Sequence, residues 1–583
     1  MNDLSADQDF ALALAHHRAG RLAEAERGYR DILRLTPHHA DSLNLLGVIA
    51  LQTGNLEAAL ALVQRAVALR PDAAVCRNNL GQILDRLGRY DEAARCYEAA
   101  IELDRAYAEA HNNLGYLRAR QDRPAEAEAL YRQAIDLDPT YAEPHTNRGN
   151  LLKDRGELDA AIESYRRAVD LRPDLSALHS NLLLALHYHP AYSPADLQRE
   201  HDAWAERHVA PLAAARRPHE NSREPERRLR VGYVSPDFRE HPVARFILPL
   251  FREHDRQQVE VFAYSDVAGA DSVTGMLRNR VDHWRDVAAL GDEQLAEAIR
   301  ADGIDVLVDL AAHSGGNRLL VFARKPAPVE LTYLAYCGTT GVDAIDYRIT
   351  DRFLDPPGEW GAYTETSLHL PHCYWSYSEP QVRPPAARAA GPPTFGCLNN
   401  FAKVSELTLE LWMRLLLRVP EARLLLYART EAHRARVRRA MRRTGVEEAR
   451  AAFVGRQAFA DYMLTYREID VALDPHPYCG GTTSCDALWM GVPVVSLAGR
   501  TAVSRAGATL LTHIGLGRLV ARSEDQYVEV ATGLIRDAKG LTALRAELRA
   551  RVESSPLMDA PRLARDFEAL LRSAWRAWCG RQS

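Results

Sequence analysis

Cysteine is scarce in this chain of 583 residues. There are eight, Cys76, Cys96, Cys337, Cys373, Cys397, Cys479, Cys485 and Cys579, and no two form a CxxC pair. That spacing argues against a zinc ribbon and a disulfide framework, and it makes a reducing, cytoplasmic setting the expectation. No run of 18 or more apolar residues occurs, so no membrane-spanning helix is expected. The opening MNDLSADQDF lacks the basic-then-apolar layout of a signal peptide. A large charge of one sign is missing too. With 73 Lys+Arg against 78 Asp+Glu the formal net charge is −5, which gives no case for nucleic acid or a membrane as partner.

What is present begins with a repeat. Gly20, Gly54, Gly88 and Gly156 are spaced by 34 residues or a multiple of it, and Asp122 fills the missing place. Pro37, Pro71, Pro139 and Pro173 keep the same register, as do Tyr29, Tyr97, Tyr131 and Tyr165. Ala25, Ala59, Ala93, Ala127 and Ala161 form a further column. This is the tetratricopeptide pattern, two helices per unit with a glycine turn between them. Five units are expected from about residue 6 to 176, stacked into a superhelix with a concave groove, and a further helix, ALHSNLLLALHYHP, follows. Asn79, Asn113, Asn147 and Asn181 recur at the same period on the first helix of each unit. A carboxamide donates and accepts, so this column reads either as a ladder gripping an extended peptide backbone or as a common residue at this repeat position.

After Pro190 the pattern changes. Residues 195 to 213 read as one amphipathic helix, followed by the polar, basic RRPHENSREPERRLR, read as a solvated linker. From Leu229 strands alternate with helices: RLRVGYVS, VEVFAYS and IDVLVDL, then, beyond the Pro-rich EPQVRPPAARAAGPP, PTFGCLNN, ARLLLYA, AAFVG, DVALD and PVVSLAG. That rhythm predicts two parallel doubly wound sheets with a cleft at the strand carboxyl ends, the GT-B arrangement. The expected division is a repeat domain at 1–190, a helical linker at 191–228, one Rossmann-like lobe at 229–378, a linker at 379–393, and a second lobe at 394–583 that includes a C-terminal helix.

The most informative stretch is DVALDPHPYCGGTTSCDALWMGVPVV, residues 470 to 495. It reads as a strand (Val471 to Leu473), a turn (Gly480, Gly481, Thr482, Thr483) and a helix (Ser484 to Met490). A glycine turn opening a helix leaves backbone N–H groups and the positive helix end aimed at one spot, which suits a diphosphate. The competing reading is an ordinary helix cap with no ligand. Asp486, one turn into the helix, is within reach of ribose hydroxyls. A repeat array joined to a nucleotide-sugar site suggests modification of other proteins.

The chain resembles the protein O-glycosyltransferases of glycosyltransferase family 41, which include O-GlcNAc transferases and plant SPINDLY-type O-fucosyltransferases. The carriers are GYVSPDFREHPVARF (232–246), RKPAPVELTYLAYCGTTGVDAIDYRITD (324–351), FGCLNNFAK (395–403) and the GGTT segment, in that order behind the repeats. The resemblance implies an inverting enzyme that needs no metal or other cofactor and moves a sugar from a nucleotide donor to Ser or Thr hydroxyls of proteins. It implies an acceptor-side first lobe and a nucleotide-sugar-binding second lobe. Lys403 matches the family's catalytic lysine, an ammonium suited to the charge growing on the leaving diphosphate. Asn399 and Asn400 beside it are expected to bond the sugar or the phosphates. His241 matches a family histidine once proposed as general base, with positioning as its alternative role. His313, at the end of a strand, is a further candidate, or else a loop-capping histidine. Gly338 and Thr339, with Thr340 and Gly341, form a turn that the resemblance puts near the donor sugar, while Tyr347 and Asp351 read as strand packing and a turn. Thr482 and Thr483 are expected on the diphosphate.

Three departures bear on the donor. Gly481 stands where O-GlcNAc transferases often carry histidine, Tyr478 where animal enzymes place a small cysteine beside the acetamido pocket, and Tyr462 where a histidine stacks on the base. UDP-GlcNAc is the leading co-substrate. GDP-fucose, an inactive adaptor, and a transferase acting on polysaccharide or lipid are the alternatives. The acidic sets DLSADQD and DPHPYC do not make ligand patterns, so no metal is expected. Partners are protein or peptide acceptors in the repeat groove, and pairing of two arrays into a homodimer is left open.

Overall fold

The computed structural model describes residues 3–358, 363–380 and 391–581, so the inner part of the expected linker at 379–393 lies outside the described residues. Twelve helices run from Asp3 to His208, and two parallel sheets follow. By contact the chain forms two compact units, Met1–Leu151 and Leu152–Ser583.

In the first unit, helices such as Ala40–Gln52 and Leu56–Leu69 pair and stack. The chain reverses between paired helices through a left-handed residue, with φ of +71°, +81° and +76° at Gly20, Gly54 and Gly88. Asp122 takes φ +61° at the place where the column lacks glycine, a conformation that Asp tolerates better than most residues. Ala25, Ala59, Ala93 and Ala127 are buried between helices, and Tyr29, Tyr97 and Tyr131 fill the space beside them. Close approach explains a second glycine column, which includes Gly81 and Gly115, 34 residues apart. A Cβ on Gly81 would stand 2.6 Å from the Tyr97 ring, and one on Gly115 2.8 Å from that of Tyr131. Gly81→Ala should therefore destabilise this unit by about 1–3 kcal/mol, the range for overpacking, read as a lower thermal midpoint. An unchanged midpoint would mean that the ring yields freely.

The second unit begins with three more helices, Leu158–Leu171, Ser176–Leu186 and Pro194–His208. Leu182, Leu183, Leu186, Leu197 and Trp204 share one core with Val234, Phe262, Leu307 and Val321 of the α/β region. This is why the contact boundary falls at 151 rather than at the expected 190: the last repeat-like helices bury their apolar faces on a sheet. The single helix expected over 195–213 ends at His208. A 3-10 turn, Ala210–Ala215, with Pro211 in its first positions, takes over.

The first sheet holds β1 (Leu229–Ser235), β2 (Val259–Ser265), β3 (His283–Asp286), β4 (Val306–Asp309), β5 (Val329–Thr332), β6 (Tyr347–Asp351) and β7 (Thr366–Leu370) in the order 3-2-1-4-5-6-7. The second holds β8 (Thr394–Cys397), β9 (Arg423–Tyr427), β10 (Ala451–Val454), β11 (Val471–Leu473), β12 (Val494–Leu497) and β13 (Val520–Ala521) in the order 10-9-8-11-12-13. Neighbours in both sheets pair parallel. Central strands such as β4, VLVD, are buried along their whole length, as parallel strands covered by helices on both faces must be. The strand order reverses between β1 and β4 and between β8 and β11, where doubly wound sheets open a crevice for ligands.

The C-terminal helix Ala560–Gly580, expected with the second lobe, also packs on the first sheet. Its apolar stripe, Leu563, Phe567, Leu571, Ala574, Trp575 and Trp578, is buried, and the Phe567 ring lies 5.0 Å from that of Tyr333.

Candidate active site

At the switch point of the second sheet, the loops leaving β8 and β11 are stitched to each other. Asn400 caps the 3-10 turn Phe401–Lys403, accepting from Ala402 N at 3.1 Å. That turn lays Lys403 across the loop, where Nζ donates to the Cys479 carbonyl at 2.8 Å. Asn399 Oδ1 accepts from the Thr483 hydroxyl at 2.6 Å. The structure thus brings Asn399, Asn400, Lys403 and the Tyr478–Thr483 segment together.

The glycine turn is held from beneath. The buried Asp474 accepts from Gly480 N at 3.0 Å and from Ser484 Oγ at 2.9 Å. Gly480 has no room for a side chain, because a Cβ would meet Ser484 Oγ at 2.3 Å and Thr483 Oγ1 at 2.7 Å. The helix starts two residues earlier than the sequence suggested, at Thr482 rather than Ser484, and no side chain of its N-cap residue, Gly481, covers the first N–H groups. Such an uncapped helix start is suited to an anion. Burial pushes the Lys403 ammonium below the usual lysine range, against the pull of Asp474. An anion beside it would reverse that shift.

Tyr478 is fixed on both sides. Its ring stacks on Tyr188 at 4.5 Å between centroids and 16° between planes, and Lys403 Nζ lies 4.5 Å from its centroid. Tyr188 follows the helix Ser176–Leu186, so the repeat-like helices contribute a wall to this site, a contact with no local sign along the chain.

Two expected nucleotide contacts are otherwise engaged. Asp486 is 1% exposed; it accepts from the Tyr377 hydroxyl and from Tyr462 Oη at 3.0 Å, with Arg245 Nη1 at 3.6 Å. Burial raises its carboxyl pKa, while Tyr377 and Arg245 pull it back. An enclosed carboxylate with both oxygens committed is a node between elements, and this corrects the expectation of a ribose contact. Tyr462 Oη also meets Tyr466 Oη at 2.8 Å, and Tyr466 donates to the Thr483 carbonyl at 2.9 Å. Only the half-buried ring of Tyr462 is left to stack on a base.

On the first sheet, His241 ends the loop after β1 and caps the helix Pro242–Glu253. Nδ1 accepts from Val243 N at 3.3 Å and lies 3.4 Å from Asp237 Oδ2. Burial pushes the imidazole down to about 4 and the Asp237 carboxyl up to about 6. The ring is therefore neutral near pH 7. Val243 N and Asp237 both engage Nδ1, which leaves Nε2 as the ring nitrogen without a partner among the described residues. The geometry favours positioning over proton abstraction.

His313 requires a correction. It is 0% exposed, with Nδ1 at 2.9 Å from Ser180 Oγ and Nε2 at 2.8 Å from the Thr340 carbonyl. Trp204 and His201 close round it at 4.6 and 5.1 Å between ring centroids. Both nitrogens are used and no face is open, so it fastens a repeat-like helix to the sheet instead of touching substrate.

The Gly338–Gly341 turn is clamped by the buried Glu365, which accepts from Thr339 Oγ1 at 2.8 Å, from Thr340 N at 2.7 Å and from the Thr340 hydroxyl. Gly338 is wedged between the Tyr336 and His187 rings, and Tyr336 clusters with Tyr478. The turn thus supports the tyrosine wall, while Thr339 itself is enclosed. Of DPHPYC, Asp474 is committed as above, and His476 Nδ1 lies 3.2 Å from the Leu497 carbonyl.

In the first unit, Asn79 donates to Asn44 Oδ1 at 3.0 Å, Asn113 to Asn78 at 3.0 Å and Asn147 to Asn112 at 2.9 Å. The column therefore ties successive repeats together through one amide N–H each. A carboxamide has a second N–H and a carbonyl, so this tie leaves the peptide-gripping reading open. Asn181 lies half-buried on Ser176–Leu186.

Comparison with known proteins adds to this. The family model described as glycosyl transferase family 41 matches residues 198–382 and 393–567. Tetratricopeptide models match 10–74, 78–142, 130–163 and 149–187. A relative from Petunia hybrida, named probable UDP-N-acetylglucosamine–peptide N-acetylglucosaminyltransferase SPINDLY, is 36% identical over 411 residues, covering 68% of this chain and 44% of its own. The protein of the same name from Arabidopsis thaliana is 37% identical over 372 residues, covering 62% and 41%. The chain thus spans less than half the length of these curated relatives. A solved structure of a Lys→Met mutant of the Thermobaculum terrenum O-GlcNAc transferase aligns with a TM-score of 0.82 and 38% identity, over 87% of this chain and 98% of that one.

Proposed function

The chain belongs to glycosyl transferase family 41, and from that premise we propose that it transfers a sugar, GlcNAc from UDP-GlcNAc as the first choice, to Ser or Thr hydroxyls of cytoplasmic proteins. The observation that carries the reading is Lys403, whose ammonium is held 2.8 Å from the Cys479 carbonyl beside the uncapped helix start at Thr482. In this reading the diphosphate sits on that helix start, with the ammonium beside the oxygen that takes up the bonding electrons when the sugar–phosphate bond breaks. The acceptor hydroxyl attacks the anomeric carbon from the opposite face, which inverts it. The hydroxyl proton passes to a phosphate oxygen of the departing nucleotide, and neutral His241 positions the reactants through Nε2. Charge neutralisation comes from Lys403 and the helix end, so the transfer step uses no metal. Asn79, Asn113 and Asn147 of the first unit hold the acceptor polypeptide through their remaining amide groups, and Asn181 of the second unit is proposed for the same kind of contact.

A second reading is transfer of fucose from GDP-fucose. Its support is Tyr478, a large ring that Tyr188 stacks in place at 4.5 Å, where a small residue would leave room for an acetamido group. Calorimetric titration of the full chain with UDP and with GDP, in chelator, separates the two. Binding of UDP at least tenfold tighter than GDP is the expected result. The reverse order would move the assignment to fucose, and heat from neither would make the chain an adaptor.

A further inference from the structure

A second cluster of side chains joins the two sheets. Asp351 is the last residue of β6, Cys373 follows β7, and His513 ends the helix Ala506–His513, which packs on β12. One ligating atom of each lies within 4.8 Å of those of the other two. Asp351 and Cys373 are 0% and 2% exposed. The His513 side chain is 10% exposed, and its Nε2 has no hydrogen-bond partner among the described residues while lying 4.0 Å from Asp351 Oδ2.

The local build explains why these atoms converge. Asp351 Oδ1 is fully committed, accepting from Phe353 N at 2.9 Å, Leu354 N at 2.8 Å and Thr509 Oγ1 at 3.0 Å. Among the described residues Oδ2 accepts only from Tyr374 N, at 2.9 Å, and it turns its other side to His513. Thr509 and His513 are four residues apart on one helix and so share a face; the same turn that bonds Oδ1 carries the imidazole to Oδ2. The Phe353 ring stands edge-on to His513 at 5.2 Å and holds it there.

We propose that Asp351, Cys373 and His513 form a binding site for a zinc-class divalent transition ion. One carboxylate oxygen, one thiolate sulfur and one imidazole nitrogen make a borderline ligand set that suits zinc and cobalt rather than magnesium or calcium. Tetrahedral coordination needs ligand atoms roughly 3.3–3.6 Å apart, so the cluster closes by about 1 Å on loading, and water takes the fourth position. Binding displaces the Cys373 thiol proton to solvent, with no change of oxidation state. The ion ties the carboxyl end of β6 to a helix of the second sheet. It lies outside the transfer step proposed above, and its presence or absence leaves that reading standing. The expectation of a chain without metal rested on the resemblance and on ligand sets close in sequence, whereas these residues are 22 and 140 positions apart.

Cobalt(II) titration of the reduced full chain tests the site. The expected result is one equivalent bound, with a near-ultraviolet thiolate-to-cobalt charge-transfer band that zinc abolishes by displacement. Cys373→Ser should lose the band, and His513→Gln should weaken binding at least tenfold, each with an unchanged far-ultraviolet circular dichroism spectrum. Zinc should raise the thermal midpoint of the wild type and leave that of Cys373→Ser unmoved. Absence of the band, or a band of full strength in Cys373→Ser, overturns the proposal. Should Cys373→Ser fail to fold, the His513→Gln titration decides alone.

Discussion

Lys403→Met is expected to lower kcat by roughly 10²–10³-fold while KM for the nucleotide sugar moves only a few fold, the magnitude seen when one preorganised charge-stabilising donor is removed. The split matters. An ammonium that acts on charge developing as the bond breaks is worth more in the transition state than in the ground state, so its loss appears in kcat; a residue that merely held the diphosphate would appear in KM. The substitution itself should cost little stability, since the one hydrogen bond it removes, to the Cys479 carbonyl, is worth about 1 kcal/mol net. There is a pH signature as well. Burial lowers the Lys403 pKa, so in the free enzyme the charged form is lost at a lower pH than for a free lysine, and kcat/KM should fall on the alkaline side. Lys403→Met should lack that alkaline limb. Transfer by the variant at near wild-type kcat, measured with a protein acceptor and labelled donor, would remove Lys403 from the mechanism.

Much of this could be read along the chain, and the exceptions have physical reasons. The repeats were legible because a left-handed turn demands glycine every 34 residues and close helix packing demands alanine. Strands with a buried apolar run, such as β1 and β4, announced themselves. β3 is HWRD at a sheet edge and largely exposed, and β7 is TSLHL at the opposite edge, so neither carries an apolar run. β5 and β6 hide for another reason: Glu330 and Arg348 sit buried inside them, the latter paired with Asp355, and a charged residue in a short run reads as loop. At the site, the turn at 480–483 and Lys403 were visible because a few adjacent residues build them. Tyr188 was not, since it meets Tyr478 across 290 positions. His313 shows the reverse failure. Its strand-end position leaves a site role and a loop-capping role both open, and only the three-dimensional packing of Trp204 and Ser180 over it reveals a structural tie.

That tie belongs to a set of buried histidines whose titration should make the second unit acid-labile. His179, His187, His201, His208 and His313 lie between the helices Ser176–Leu186 and Pro194–His208 and the first sheet, with neighbouring rings 5.1 to 5.7 Å apart. Burial pushes His179 and His201 down to about 4, helped for His179 by Arg207 and Arg166 and opposed for His201 by Asp202 and Glu200. His187 and His313 move further in the same direction. These groups are neutral in the fold and protonate near 6.5 when it opens. Their stabilisation is therefore complete above pH 6.5 and lost as pH falls towards 4, at a cost on the order of 3 kcal/mol each for His179 and His201. Two buried carboxyls of the facing sheet oppose the trend, as Asp237, Asp474 and Asp486 do elsewhere in the unit. Asp309 and Glu330 are raised to about 6 and about 8, so their folded forms gain relative to the open chain as pH falls through those values. Five histidines shifted down outweigh two carboxyls shifted up, and all five sit at one interface. Hydrogen exchange over residues 176–208, corrected for intrinsic rate, should show protection falling by several orders of magnitude between pH 7.5 and 5, with the first unit changing far less. Equal protection at the two pH values would mean that these rings reach water or compensating partners on protonation, and the packing of these helices on the sheet would then be insensitive to acid.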